Sequence, residues 1–153
     1  MGDGNGWVVC ALGHRHWGRF GAAGLLVTNG VSVLLQHRAV WTHEGGTWAL
    51  PGGARDSHET ALDAALRETQ EETDLDASGL EPVEEWRDDH GGWAYTTIVA
   101  STVDTGAVEP ANDESTALQW WPIPEVGSLA LHRGFAAAWP LLRPLAEAIR
   151  RPA

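Results

Sequence analysis

Three glutamates crowd one side of a predicted helix in this 153-residue chain. Glu68, Glu71 and Glu72 stand at i, i+3 and i+4, so their side chains lie on the same side of an α-helix. Carboxylates at this spacing repel one another and destabilise a bare helix by roughly 0.2–0.5 kcal/mol per pair. A divalent cation removes that repulsion, and clustered carboxylate oxygens suit Mg²⁺ or Mn²⁺. The spacing therefore predicts a hard-metal site, and such a site favours a phosphate-containing substrate.

A solvated helix face held by salt bridges is the alternative interpretation of these glutamates. Arg67 is near enough in sequence to pair with them, but the ten basic residues of the chain are all arginines and no lysine is present to help. One arginine beside three clustered carboxylates leaves negative charge uncompensated. The metal site is therefore the favoured interpretation.

The helix is predicted to begin soon after the Pro-Gly-Gly turn at residues 51–53. Asp56 or Ser57 is the expected N-cap, and Asp56 with Glu59 three residues later approximates a capping box. The expected core-facing stripe recurs at helical spacing and consists of Leu62, Ala65, Leu66 and Thr69. The first and last of the three glutamates lie nearest that stripe, which places the carboxylates at the edge of a packed interface.

Strand patterns flank this helix on both sides. The segments with strand character are residues 20–28, 31–38, 81–89, 93–103 and 117–121. Asn29-Gly30 joins the first two, and this dipeptide between apolar runs is a strong hairpin signal. A second helix is expected over residues 133–150, kinked or split by Pro140 and Pro144. The order of strands, helix, strands and helix predicts a single mixed α/β or α+β domain over residues 20–151, preceded by an N-terminal arm or edge strand over residues 1–19.

Composition excludes several classes of protein. The chain has 43% hydrophobic residues and a net charge of −11, so it is typical of a globular protein with no basic surface for duplex DNA or an anionic membrane. Because of this acidic charge we expect no nucleic-acid polymer as partner. We also expect no membrane, because no apolar run approaches the roughly 18–20 residues needed to cross a bilayer. The lone Cys10 and the acidic N-terminus, which lacks signal-peptide character, favour a cytoplasmic location.

The glutamate helix and its lead-in resemble the Nudix hydrolase box (MutT-like family), which reads G-x5-E-x7-R-E-U-x-E-E-x-G-U with U a bulky aliphatic residue. The matching positions are Gly53, Glu59, Arg67, Glu68, Glu71, Glu72 and Leu75. Thr69 stands where an aliphatic residue is usual, which is a mild packing change. Asp74 stands where the pattern has glycine, and a left-handed C-cap at Asp74 is expected to cost about 1 kcal/mol. The segments 48–53 and 113–125 extend the resemblance beyond the box.

The resemblance implies a Nudix-type mixed β-sheet sandwiched between helices, Mg²⁺ (or Mn²⁺) as cofactor, and hydrolysis of a pyrophosphate bond by water. The implied metal ligands are Glu68, Glu71, Glu72 and the backbone carbonyl of Gly52. The implied structural residues are Gly53, Glu59 and Arg67. Glu68 or Glu71 is the expected general base, and Glu114 resembles a glutamate outside the box that some members use. Which of these three carboxylates acts as the catalytic base stays open.

Substrate contacts outside the box are harder to assign. Arg38 follows the first hairpin and is a candidate for a phosphate contact, although a surface arginine is the safer interpretation. Trp41, Trp86 and Trp93 lie in or near predicted loops and strand ends and are candidates for stacking on a base or sugar, against the alternative of ordinary packing.

Three functional hypotheses remain. The main one is cleavage of a small-molecule nucleoside diphosphate derivative, of the ADP-ribose or nucleotide-sugar type. The alternative within the same enzyme class is removal of pyrophosphate from an ordinary or oxidised nucleoside triphosphate. The third, from another class, is a nucleotide sensor without turnover, which the intact set of box glutamates disfavours. A homodimer is common in the family, and the oligomeric state stays open.

The segment Cys10-x3-His14-x-His16 resembles a fragment of a zinc site. A structural zinc ion needs four ligands and the chain has no second cysteine. Ordinary surface or strand histidines are therefore the favoured interpretation of this segment.

Overall fold

The computed structural model of the chain describes residues 2–42 and 45–149. The strands are β1 (Trp7–Val9), β2 (Arg15–Trp17), β3 (Ala22–Thr28), β4 (Ser32–Arg38), β5 (Trp48–Ala49), β6 (Gly52–Ala54), β7 (Glu81–Asp89), β8 (Ala94–Ser101) and β9 (Ser115–Pro122). The helices are α1 (Ala61–Glu72), α2 (Ile123–Val126) and α3 (Arg133–Glu147), and a 3₁₀ turn covers Ala77–Gly79. Within these described ranges, none of the helices is both long and apolar enough to span a bilayer.

The predicted first hairpin exists, but its two strands soon part. Asn29 Oδ1 accepts hydrogen bonds from the amides of Val31 and Ser32, both at 2.9 Å, which fixes the turn. Strands β3 and β4 share the pair Thr28 and Val33 beside it. Beyond that pair, β3 runs parallel to β8 and antiparallel to β6, whereas β4 pairs with β5 and β9. The result is a mixed sheet, as predicted.

Two apolar layers cover the two faces of this sheet. One layer joins the sheet to α3 and includes Leu26, Val33, Leu35, Val99, Phe135, Trp139 and Leu142. The other joins it to α1 and includes Ala23, Leu25, Val27, Leu34, Ala64, Ala65 and Ile98. Neighbouring residues such as Leu25 and Leu26 point to opposite faces because side chains alternate along a strand. The prediction of a sheet sandwiched between helices is confirmed.

Two local predictions about the helices are wrong. Helix α1 begins after Thr60, not after Asp56 or Ser57, because Thr60 and Asp63 form the capping box. Its C-cap is Thr73, which is extended with φ −136° and ψ 164°, so the expected left-handed cap at Asp74 is not formed. The Asp74 carboxylate instead accepts a 2.7 Å hydrogen bond from the amide of Glu109.

The second helix is not split, because α3 contains Pro140 and Pro144 within one continuous helical range; the kink stays a prediction. Its apolar side buries Phe135, Trp139 and Leu142 against the sheet, and this burial offsets the backbone hydrogen bonds that proline removes. The last predicted residues of this helix and of the domain, 150 and 151, lie outside the described residues.

The N-terminal segment forms a hairpin of its own. Strands β1 and β2 make a two-stranded antiparallel sheet that is separate from the main sheet, with Trp7 opposite Trp17 and Val9 opposite Arg15. The Trp7 and Trp17 rings pack edge to face, with centroids 5.2 Å apart. The boundary proposed at residue 19 stays a prediction.

Candidate active site

Arg67 organises the loop before helix α1. Its Nε and Nη2 atoms donate to the two carboxylate oxygens of Glu59 at 2.7 and 2.8 Å, and Nη2 also donates to the Ala54 carbonyl at 3.0 Å. This bidentate contact and the amide of Asp56 hold the pKa of Glu59 well below its usual range, at about 2. The charged pair therefore ties the loop to the helix.

Glu72 is the buried carboxylate of the cluster. Only 6% of its surface is exposed, because it follows Thr69 on the core-facing side of the helix. Burial, together with the charges of Glu68 and Glu114, raises the pKa of Glu72 to about 8. The amide of Gly52 donates to Glu72 Oε2 at 2.9 Å and opposes this shift without cancelling it.

Glu68 lies against the backbone of the glycine-rich turn. A Cβ atom placed on Gly53 would stand 2.6 Å from Glu68 Cδ, so a larger residue here would displace the carboxylate from its present position. Burial and the charge of Glu71 raise the pKa of Glu68, although Arg67 donates to it at 3.0 Å. Glu71 itself is more exposed and lies 3.4 Å from Arg67.

Glu114 reaches the same cluster from a distant part of the sequence. The segment before β9 is fastened to the end of α1, because the Ala111 amide donates to the Glu72 carbonyl and the Asn112 side chain donates to the Glu71 carbonyl. Glu114 consequently lies close enough for its charge to raise the pKa of both Glu68 and Glu72. The placement agrees with the role expected for it, and that role stays a prediction.

Tyr95 also lies at the cluster, and the sequence analysis missed it. Its ring fills the space beside Gly24, where an added Cβ would stand 2.0 Å from the Tyr95 hydroxyl oxygen. Burial and then the charge of Glu72 raise the pKa of Tyr95. The parallel pairing of β3 and β8 places Ala22 opposite Tyr95, and no local pattern in the sequence could have indicated that register.

The expected substrate-contact residues fall in different places. The charge of Arg38 lowers the pKa of Glu72, so Arg38 lies near the cluster. Trp41 is 65% exposed and follows β4. Trp86 packs against the α3-side core, and Trp93 stacks on His16 with ring centroids 4.0 Å apart. These two tryptophans have packing partners, and nucleotide contacts by any of the four residues stay predictions.

Tight groups of ligand atoms occur elsewhere in the described ranges. The groups of three residues whose ligand atoms lie within 4.8 Å of one another are Cys10, His16 and His90, and Asp56, His58 and Glu59. Among the described residues, Glu68, Glu71 and Glu72 are more widely spaced and do not form such a group. Mutual repulsion between carboxylates favours that wider spacing when no cation lies between them.

Comparison with known proteins agrees with the fold and the box. The sequence model of the NUDIX domain matches residues 18–144. The chain is 50% identical over 153 residues to a Mycobacterium tuberculosis protein named "Putative 8-oxo-dGTP diphosphatase 3", covering 93% of this chain and 70% of the relative. It is 42% identical to a nucleoside triphosphate pyrophosphatase/Nudix hydrolase fusion protein of Bifidobacterium longum, covering 90% of this chain and 30% of that protein.

A solved structure also matches this chain over almost its whole length. The crystal structure of RenU, a Nudix hydrolase from M. smegmatis, superposes with a TM-score of 0.86 and 45% sequence identity, covering 98% of this chain and 99% of that one. The chain belongs to the Nudix family and is a hydrolase of pyrophosphate bonds. The prediction of family and enzyme class is confirmed.

Proposed function

We propose that this enzyme is a Mg²⁺-dependent nucleoside triphosphate pyrophosphohydrolase that acts on ordinary or oxidised nucleotides. The observation that carries the proposal is the 50% identity, over most of the chain, to a relative whose name specifies 8-oxo-dGTP as substrate. This relationship favours the triphosphate alternative over the ADP-ribose or nucleotide-sugar substrates expected first from the sequence.

The acidic cluster fits a hard divalent cation. Glu72 is a buried carboxylate that retains its proton up to about pH 8, and a bound cation would stabilise the ionised form. Glu68 and Glu72 are the proposed principal ligands, with Glu71 or the Gly52 carbonyl completing the oxygen set. A bound Mg²⁺ or Mn²⁺ would neutralise phosphate charge and lower the pKa of a coordinated water.

The protein groups have separate tasks in this proposal. Arg67 and Glu59 hold the loop so that Gly52 and Gly53 lie against the glutamates. Arg38 lies where it can add positive charge beside a phosphate chain. The proton of the attacking water passes to Glu68, Glu71 or Glu114. Glu71 and Glu114 are not among the two principal ligands, and which of the three carboxylates accepts the proton stays open.

A substrate panel tests the proposal. We would measure kcat/KM with Mg²⁺ for 8-oxo-dGTP, dGTP, a nucleotide sugar and ADP-ribose, and identify the products by chromatography. The expected result is a nucleoside monophosphate plus pyrophosphate, with the highest kcat/KM for a triphosphate. A higher kcat/KM for ADP-ribose, releasing AMP and ribose 5-phosphate, would contradict it. The cytoplasmic location and the homodimer stay predictions.

A further inference from the structure

A second set of metal-binding atoms lies between the N-terminal hairpin and the turn that joins β7 to β8. Cys10, His16 and His90 each offer one ligand atom, and these atoms lie within 4.8 Å of one another. Cys10 is only 5% exposed. None of these residues belongs to the carboxylate cluster of helix α1.

Backbone hydrogen bonds hold the two segments together at this point. The Cys10 amide donates to the His14 carbonyl, and the Gly13 amide donates to the Cys10 carbonyl, both at 2.9 Å, which closes the β1–β2 turn. The Ala11 amide then donates to the Gly91 carbonyl at 2.7 Å. Gly91 has a φ of +76°, and a Cβ there would stand 2.5 Å from Ala11 Cβ. The close contact therefore requires glycine.

Neighbouring side chains fix the orientation of both histidines. His90 Nε2 lies 3.0 Å from Asp88 Oδ2, which leaves His90 Nδ1 as the ring atom available to a metal. Metal-binding histidines commonly donate their other ring N–H to a carboxylate in this way. The His16 ring lies parallel to Trp93, with 6° between the ring planes, so its orientation is fixed by stacking.

His16 also has an unmet hydrogen-bonding need. Its Nε2 atom is buried and, among the residues that the structure describes, has no hydrogen-bond partner. Buried polar atoms without a partner are rare and costly, so one beside a thiol and a second imidazole calls for an explanation. A bound cation would satisfy it.

We propose that Cys10, His16 and His90 bind one Zn²⁺ ion, with water as the fourth ligand, and that the ion fastens the N-terminal hairpin to the β7–β8 turn. Sulfur and imidazole donors favour Zn²⁺ over Mg²⁺, so this site selects a different ion from the carboxylate cluster. Ligand atoms in a tetrahedral zinc site lie about 3.4–3.6 Å apart, given Zn–N near 2.1 Å and Zn–S near 2.3 Å. Side-chain movements of about 1 Å would close the site.

The other tight group does not fit a metal as well. Glu59 is engaged by Arg67 and by the Asp56 amide, and Asp56 Oδ1 accepts a 2.9 Å hydrogen bond from the Gly4 amide. The carboxylates of that group already have partners inside the protein. The sequence favours ordinary roles for Cys10, His14 and His16 because the other histidines are scattered along the chain, but the fold brings His90 next to Cys10 and His16.

Cobalt substitution tests the proposal directly. Metal-free protein would be titrated with Co²⁺ while the thiolate-to-cobalt charge-transfer band in the near ultraviolet is followed. Cys10 is the only cysteine in the chain, so the band reports on this site and not on the carboxylate cluster. We expect one equivalent of Co²⁺ to give the band and Zn²⁺ to displace it. Absence of the band at saturating Co²⁺ would overturn the proposal.

Variants assign the ligands. Cys10→Ser should abolish the band, and His16→Ala and His90→Ala should weaken Co²⁺ binding at least tenfold. Asp88→Asn, which removes only the carboxylate behind His90, should weaken it about 10- to 100-fold. His14→Ala is the matched control from the same turn and should bind normally. Unchanged Co²⁺ affinity in both His90→Ala and Asp88→Asn would overturn the assignment, with Mg²⁺-dependent hydrolysis serving as the check that each variant is folded.

Discussion

Glu59 and Glu72 are two carboxylates of one motif, and their surroundings shift their pKa values in opposite directions. Arg67 holds the pKa of Glu59 at about 2, whereas burial raises the pKa of Glu72 to about 8. Both residues are largely buried, with 8% and 6% of their surfaces exposed. The difference is the hydrogen-bond partner among the described residues, because a bidentate arginine donates to Glu59 whereas a backbone amide donates to Glu72. Burial of a carboxylate without a matching positive charge marks the place for a cation.

Glu68 lies between these two extremes. Arg67 donates to it, but burial and the charge of Glu71 outweigh that contact, so the pKa of Glu68 is raised. Arg67 therefore pairs fully with Glu59 at the loop end of the motif, but it does not offset the burial of the carboxylates further along α1. We propose that the loop end of the motif is structural and that the C-terminal end of the helix is the site of chemistry.

The largest expected effect comes from Glu72→Gln. Removing a metal ligand should lower kcat/KM by about 10³-fold, since loss of an outer-shell partner alone costs 10- to 100-fold. The stability of the metal-free protein should not fall, because a neutral amide replaces a buried acid. Steady-state kinetics and urea unfolding check this pair of outcomes. Glu125→Gln, an exposed glutamate on α2, is the matched control, and equal losses in both variants would contradict the assignment.

Arg67→Ala addresses the other end of the motif. It leaves Glu59 buried without its partner and should reduce the free energy of unfolding by about 3 kcal/mol, the lower end of the range for a broken buried pair, because Arg67 is about one third exposed. Arg67→Lys should recover part of this loss, since a lysine lacks the bidentate geometry. Chemical denaturation with Mg²⁺ absent measures both values. A loss below about 1 kcal/mol in Arg67→Ala would show that the pair is not structural.

Gly53→Ala tests whether activity depends on the position of the Glu68 carboxylate, because the substitution changes no charge. The added Cβ would meet the Glu68 carboxylate at 2.6 Å and displace it, and a shift of about 1 Å in a catalytic group lowers kcat/KM by about 10- to 100-fold. Gly79→Ala is the control, because no heavy atom lies within 4 Å of a Cβ at that position. Equal kinetics for the two variants would show that Glu68 does not need its present position.

Glu59 and Glu72 should make the stability of the protein depend on pH with opposite signs. Between pH 4.5 and about 8 the folded metal-free protein keeps a proton on Glu72 that the unfolded chain releases, so stability falls as pH rises through this window. Glu59 contributes stability that is present above pH 4.5 and lost as pH falls towards 2. Thermal unfolding at several pH values checks both, with saturating Mg²⁺ expected to reduce the fall between pH 4.5 and 8. Glu72→Gln should flatten that fall, and a fall unchanged by the substitution would contradict its assignment to Glu72.

Sequence spacing predicted the parts of this site that lie close together in the chain. The phase of a single helix put Glu68 and Glu72 near the core and Glu71 outside, and the structure has that order. The predicted start of α1 was wrong because the sequence has two patterns that resemble a capping box, three to four residues apart. The Asp56–Glu59 pattern shapes the loop and the Thr60–Asp63 pattern begins the helix.

Strand register and long-range contacts decide the rest. Tyr95 reaches Glu72 through the pairing of β8 with β3, and Glu114 reaches it through backbone bonds between the segment before β9 and the end of α1. His90 joins Cys10 because two separate hairpins meet. Such contacts depend on how distant segments pack, and no local pattern in one sequence encodes them.

Calorimetric titration of metal-free protein with Mn²⁺ measures whether the glutamates of α1 bind a cation. Mn²⁺ prefers oxygen donors, so it reports on the carboxylate cluster and not on the cysteine and histidines. At pH 7 we expect one Mn²⁺ to bind with release of a proton from Glu72, visible as a dependence of the heat on buffer ionisation enthalpy. Glu72→Gln should weaken binding at least tenfold and remove that proton release, whereas Glu125→Gln should change neither. Unchanged Mn²⁺ affinity in Glu72→Gln would contradict the account.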